Sequence, residues 1–416
     1  MLDFSDQPYQ WFPPQSSRLV RWALCWHNRL RYLPRAMRVV EVKVAGHEAL
    51  LTRRRAGDRL VLMPNHPTHA DAPILLEATR QARISTQVMA AYDVFLRSRK
   101  DAWVMQKLGA FSVDREGSDP RAMKQAISVI ERGRHALVVF PEGNVYLEND
   151  RVTPFNEGAA FLALRAARQL HTHGKRTLVV PVSIKATHTR DIRPAVASRL
   201  HEAATMVGVE TRADDTPGSA LKRIGIAALH RNLKQRGLDA PQTDDLAELI
   251  AHGAGAVLDK LEHKLELKAR PNDTLTDRIR KARRVIHEVR TDPSRVADHA
   301  AAATWADEAM LALRFASYSG AYVAQKPTVD RIAETVEKLH EDLTRAMLPA
   351  SHDRAATVRF GEPIDLTPYV ADGKPGRRAV GEITALAEQA VQQGLDTINA
   401  DNTHPGGSVW EGPLGQ

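Results

Sequence analysis

The chain has 416 residues, a net charge of +8 and 43% hydrophobic side chains. That length predicts a core domain plus an added module, with enough apolar content for a packed core. A single cysteine, Cys25, excludes an intramolecular disulfide and fits a reducing compartment.

Residues 1–6 lack the basic region of a cleavable signal, and no run approaches the roughly 18 apolar residues that span a bilayer. The expectation is a cytoplasmic chain, free or at a membrane surface, peripheral or monotopic. The positive charge favours anionic partners: nucleic acid, anionic lipid headgroups or a carrier bearing phosphates. No zinc-finger, RNP or helix-turn-helix signature supports nucleic acid, so none is expected as a partner. Excess Lys and Arg also serve as a solubilising surface.

Residues 1–38 form the first segment. From Ser17, Val20, Trp22, Ala23, Trp26, Leu30 and Leu33 recur at mostly helical intervals, with Arg18, Arg21, Arg29, Arg31, Arg35 and Arg38 around or after them. Such a helix suits a membrane interface, with Trp at headgroup depth and Arg on phosphates. An equal reading docks it on the core with its Trp buried.

Strands are expected at 39–44, 60–63, 87–91, 111–113, 136–140 and 177–184, alternating with helices at 74–82, 120–132 and 158–169. Asp119 as N-cap, Pro120 at the first helical position and Gly133 as stop frame the second of these helices. The pattern is that of an α/β layered domain with a mostly parallel sheet over 39–192. Residues 193–355 change to Ala, Leu, Glu, Lys and Arg at helical spacing, read as an all-helical insertion of four to six helices. Residues 356–400 return to the core with a strand at 357–360 and a helix at 380–399. The Gly/Pro-rich tail, 401–416, is expected to be disordered.

At 60–73 an apolar strand meets Pro64, a turn, and a helix with Pro73 in its first turn. The turn carries His66 and, five residues on, Asp71. Asp71 can hold the Nδ1 proton of His66 and leave Nε2 to take a proton from a hydroxyl. Plainer readings stand beside this one: Asp71 as a helix N-cap, His66 as a turn residue, or His66 with His69 in a metal site, although no Cys or acidic ligand stands nearby at zinc spacing. His287 and Asp292 repeat the spacing within a charged stretch, so spacing alone is weak.

Four blocks together resemble the glycerolipid acyltransferase family, which includes the 1-acyl-glycerol-3-phosphate acyltransferases. They are Asn65-His66-Pro67-Thr68-His69-Ala70-Asp71, matching N-H-x-x-x-x-D; Gly109-Ala110-Phe111-Ser112-Val113-Asp114-Arg115; Val138-Val139-Phe140-Pro141-Glu142-Gly143; and Leu178-Val179-Val180-Pro181-Val182. Their order and spacing fit over residues 60–185, and 358–364 looks like the closing strand.

The resemblance implies His66 and Asp71 as catalytic residues and substrate contacts at Asn65, Arg115, Glu142 and Gly143. It also implies that Pro181 shapes the pocket. Two departures bear on the substrate. Asn144-Val145-Tyr146 stands where the family continues with Thr or Ser and often Arg, and Phe155-Asn156-Glu157-Gly158 stands where it often carries Lys.

With His66 as base, a substrate hydroxyl attacks a thioester directly, so no nucleophilic Ser or Cys and no metal or bound cofactor is needed. Arg115 suits a phosphate on the acceptor through bidentate contact, or equally forms a surface ion pair with Asp114 or Glu116. Gly143 allows close backbone approach. Glu142, at the end of a buried strand, needs a partner, either backbone amides or acceptor hydroxyls.

The expected function is O-acyl transfer from acyl-CoA or acyl carrier protein to a lysophosphatidate-like hydroxyl in phospholipid biosynthesis, at an anionic membrane surface. The alternatives are the same chemistry on an ornithine-type lipid or glycolipid, and an inactive membrane-surface adaptor of the same fold. Thiol release with a panel of lysolipids separates them.

Overall fold

The computed structural model describes residues 9–371, 373 and 376–415. Residues 1–8 of the N-terminal segment and Gln416 of the tail lie outside them. The described residues divide into two compact units, one within residues 9–190 and 352–404 and one within residues 191–351 and 405–415.

The first unit is built on one eight-stranded sheet: β1 (Val39–Ala45), β2 (Arg59–Pro64), β3 (Thr86–Ala91), β4 (Ala110–Val113), β5 (Ala136–Val139), β6 (Thr177–His188), β7 (Arg354–Phe360) and β8 (Ile364–Asp365). The order is β1-β7-β6-β2-β5-β3-β4, with β8 on β6. The pairs from β6 through β2, β5 and β3 to β4 are parallel, whereas β7 and β8 meet β6 antiparallel. The fold is thus an α/β layered domain with a mostly parallel sheet. Near-continuous apolar runs in β2, β5 and β6 follow from cover on both faces.

On one face Leu62, Val180 and Ile184 pack with Ile74 and Ala78 of the Asp71–Gln81 helix. On the other, Val61, Leu137 and Val179 pack with the helices Pro120–Arg132, Gly158–His171 and Arg377–Ala400. Asp119 caps its helix by accepting from Ala122 N–H, and Gly133 ends it in the left-handed region.

Pro181 lies within β6, a central strand, where a missing N–H usually breaks a ladder. It is tolerated because β6 changes partner there. Residues 178 and 179 pair with β8, residues 182–188 pair with β7, and Pro181 O accepts from Gly361 N–H at 2.9 Å across the gap.

The N-terminal segment is a helix, Arg18–His27, running into a π-helical stretch, Asn28–Ala36, that contains Pro34. Cys25, Asn28 and Leu33 face inward and Asn28 Nδ2 donates to Pro73 O. Arg21, expected with the outward cations, instead donates to Thr86 O at 2.9 Å. Leu19, Trp22 and Leu30 point outward, 82%, 66% and 60% exposed. The segment is docked, yet Trp22 is not the residue that docks it. No helix among the described residues is long and apolar enough to cross a membrane.

The second unit holds six helices of 15 residues or more: Arg193–Val207, Pro217–Gln235, Leu246–Lys264, Leu275–Thr291, His299–Ala316 and Val329–Thr344, together with the single turn Tyr322–Gln325. The tail is a correction to the sequence reading, because residues 405–415 are packed where composition predicts disorder. Trp410 is buried among Val329, Ile332 and Val336, its N–H donates to Pro327 O, and Val409 bridges to Thr328. One aromatic anchor outweighs the Gly/Pro content around it.

Gly46, just after β1, has φ +75°, and a Cβ there would stand 2.1 Å from Phe360 O. Gly174 has φ +63° with open space around it. Gly46→Ala should therefore lower stability by about 1–3 kcal/mol more than Gly174→Ala does, since only the former adds a backbone clash to the strained φ. Urea unfolding of both variants checks this; equal losses would contradict it.

Candidate active site

β2 ends at Pro64, and the chain must leave the sheet without orphaning its polar groups. Asn65 solves this with its side chain. Its Nδ2 donates to Ile184 O at 2.9 Å and its Oδ1 accepts from Ile184 N–H at 2.7 Å. It is fully buried. The side chain extends the β2–β6 ladder by one step, so Asn65 is a structural bracket rather than the substrate contact expected from the resemblance.

His66 follows at the mouth. Its Nδ1 lies 2.9 Å from Asp71 Oδ2, and its ring stacks tilted against Phe140 at 4.3 Å. Asp71 is fully buried and accepts twice more, from Thr68 N–H at 2.7 Å and Thr68 Oγ at 2.8 Å. Three donors thus converge on this one carboxylate. With Oδ2 accepting, the His66 proton sits on Nδ1 and Nε2 has no hydrogen bond among the described residues. The residue at the N-cap is Ala70, which makes no side-chain cap, so capping does not account for Asp71.

Glu142 is buried and committed. Its Oε1 accepts from His66 N–H at 2.8 Å and its other oxygen accepts from Thr153 Oγ. Of the two partner types expected for it, backbone amide and acceptor hydroxyl, the first is present. Burial pushes its carboxyl up to about 8, and the bonds from Thr153 and His66 offset only part of that rise.

Gly143 has φ +76° and closes the turn with its N–H on Phe140 O. Asn156 brackets the same turn, donating to Pro141 O at 2.9 Å and Glu142 O at 3.3 Å. A residue that departs from the family pattern thus holds the turn's backbone.

Arg115 reaches from the loop after β4 to this turn. It donates to Gly143 O at 2.8 Å and Asn144 Oδ1 at 2.9 Å, and pairs with Asp93 at 3.3 Å. The ion pair is with Asp93, not with Asp114 or Glu116. The structure thus brings His66, Asp71, Glu142, Gly143 and Arg115 to one strand edge, with Asn65 behind them and Pro181 inside β6.

Thr68, Asp93 and Thr153 complete the arrangement and were missed in the sequence, and Asn156, noted there only within a departure from the family, joins them. Thr68 lies inside the recognised block; Asp93 sits in the short helix Tyr92–Leu96, and Thr153 and Asn156 in a loop, where no periodicity marks them. Among the described residues no group of three His, Cys, Asp or Glu side chains is arranged to hold a metal ion.

Residues 41–185 match the family model described as Acyltransferase, a span running from β1 into β6 and containing all four blocks. No curated protein matches the chain.

The raised Glu142 value has a measurable consequence. Between about 4.5 and about 8 the folded chain retains a proton that the unfolded chain releases, so this group makes stability fall as pH rises. The loss is at most about 1.4 kcal/mol per pH unit. Glu142→Gln keeps the shape and removes the titration. Unfolding free energies from pH 5 to 8 should fall more steeply for wild type than for the variant; parallel curves would show Glu142 ionised throughout.

Proposed function

With residues 41–185 carrying the acyltransferase family pattern, we propose that this chain transfers a fatty acyl group from a thioester, acyl-CoA or acyl carrier protein, to the hydroxyl of a lysophosphatidate-like acceptor. The His66–Asp71 contact of 2.9 Å is the observation that carries this reading. Nε2 takes the hydroxyl proton, the alkoxide forms a C–O bond at the thioester carbonyl, and the tetrahedral intermediate expels the thiol sulfur. The imidazolium then returns its proton to the thiolate. Asp71 holds the tautomer and stabilises the transient positive charge. No acyl-enzyme and no resident cofactor enter this sequence of steps.

Arg115 is the cation at the mouth that we assign to an acceptor phosphate. One observation favours a second reading, an acceptor without phosphate such as an ornithine-type lipid or glycolipid. Asp93 already partners Arg115, and Asn144-Val145 and Asn156-Glu157 stand where the family often brings cations.

We also assign the outward residues Leu19, Trp22 and Leu30, flanked by exposed Arg18, Arg29, Arg31 and Arg35, to an anionic membrane surface where a lipid acceptor resides.

His66→Ala should cut acceptor-dependent thiol release by about a hundredfold to ten-thousandfold with the fold intact, the range for a general base. Near-normal turnover in a folded variant would remove His66 from the mechanism. Arg115→Ala should cost about tenfold to a hundredfold in kcat/KM on a lysophosphatidate and little on a phosphate-free lysolipid. Equal, small losses on both acceptors favour the second reading. Trp22→Ser with Leu30→Ser, both at exposed positions, should leave the melting temperature unchanged and abolish cosedimentation with anionic vesicles; retained cosedimentation would contradict the surface assignment.

A further inference from the structure

On the sheet face opposite the Asp71–Gln81 helix, three cations share a groove that the proposed chemistry does not use. Lys43 of β1 stands in register with Thr357 of β7, which stands in register with Lys185 of β6. Arg359 lies two residues along β7. Side chains alternate faces along a strand, so these four point the same way. Adjacent strands lie about 4.8 Å apart, which places Lys43 and Lys185 about 10 Å from each other with Thr357 between them.

The groove exists because the Arg377–Ala400 helix covers only part of this face. Ser183 Oγ donates to Val391 O at 2.8 Å, holding the helix against β6. Beyond Ala400 the chain turns over the strand ends, pinned where Asn402 Nδ2 donates to Thr187 Oγ at 3.2 Å. The space left, about 310 Å³, is lined by Lys43, Lys185, Arg359, Thr357, Asn402 and His404, with Asp401 as the one acid.

The cations differ in how they are neutralised. Lys185 is buried and ion-paired with Asp150, which fixes its position. Lys43 has only Glu41, at 3.9 Å and with both side chains mostly exposed, a contact worth little. The Arg359 side chain makes no hydrogen bond or ion pair among the described residues. Two weakly partnered cations beside a fixed third repel one another unless an anion enters. A plain solvated charge cluster would spread over a convex surface, whereas these line a concavity with hydroxyl and amide donors around it.

We infer that this groove binds a phosphate ester, its oxygens held by the Arg359 fork, Lys43 and the Thr357 hydroxyl. Arg presents paired donors to phosphate oxygens and Lys a point charge. Lys185 directly follows Ile184, whose backbone holds Asn65 beside His66. The groove and the dyad are therefore joined through β6. Naming the phosphate as that of acyl donor or acceptor rests on the acyl-transfer reading; the anion site itself does not.

The test is calorimetric titration of the full chain at low ionic strength with inorganic phosphate, glycerol 3-phosphate and coenzyme A. Wild type should bind at least one, and Lys43→Gln and Arg359→Gln, both at exposed positions, should each weaken it by about tenfold or more. Preference for coenzyme A places the donor in the groove; preference for glycerol 3-phosphate places the acceptor phosphate there and takes it from Arg115; equal binding of inorganic phosphate identifies a general phosphate site. His66→Ala should bind the same ligand unchanged, so loss of the acyl-transfer reading, seen as normal turnover in that variant, is distinguishable. Absence of binding by wild type, or wild-type affinity in both groove variants, overturns the inference.

Discussion

A buried carboxylate is costly unless several donors meet it, and Asp71 is met by three. Two come from Thr68, which folds the turn back on itself; the third is the imidazole of His66. The turn, the helix start and the base are consequently one hydrogen-bonded object. Removing the anion would release the Thr68 amide and the His66 orientation together. The same rule governs its surroundings: Asn65 stitches the end of β2 to β6, and Glu142 receives the His66 amide. The His66 and Thr68 amides, set free where the chain leaves the sheet, each find a carboxylate within the recognised blocks.

The altered loop after Glu142 gains a physical account from this. In the two stretches where the family often brings positive charge, this chain carries amides. Asn144 accepts from Arg115, and Asn156 holds the backbone of Pro141 and Glu142. Uncharged brackets can fix the turn without repelling Arg115. They also leave the mouth less positive, with Asp93 offsetting Arg115 further. Cationic character accumulates instead across the sheet, at Lys43, Lys185 and Arg359.

Local pattern carried much of the fold. Apolar runs located β2, β5 and β6, and the Asp119, Pro120 and Gly133 signals framed their helix, because burial and capping act over a few residues. The His66–Asp71 pair was legible for the same reason: five residues span one turn. What sequence did not carry depends on partners far along the chain. Asn65 was assigned to substrate because nothing local shows that its amide meets Ile184, 119 residues away. Asp93 was overlooked as the partner of Arg115, and the tail was read as disordered because composition averages hide one well-placed Trp410. Outward Trp22 and inward Arg21 invert the simple split of aromatic and basic faces, since the long Arg21 side chain reaches the backbone carbonyls of Thr86 and Leu108 and donates to both.

The claim on which the chemistry turns is that buried Asp71 fixes the His66 tautomer. Nitrogen-15 NMR of histidine-labelled protein, with the His66 signals assigned by comparison with His66→Gln, reads this directly. For the neutral imidazole the predicted result is a proton on Nδ1 and a bare Nε2, with the pattern lost in Asp71→Asn. A proton on Nε2 in the wild-type protein would contradict His66 as the base.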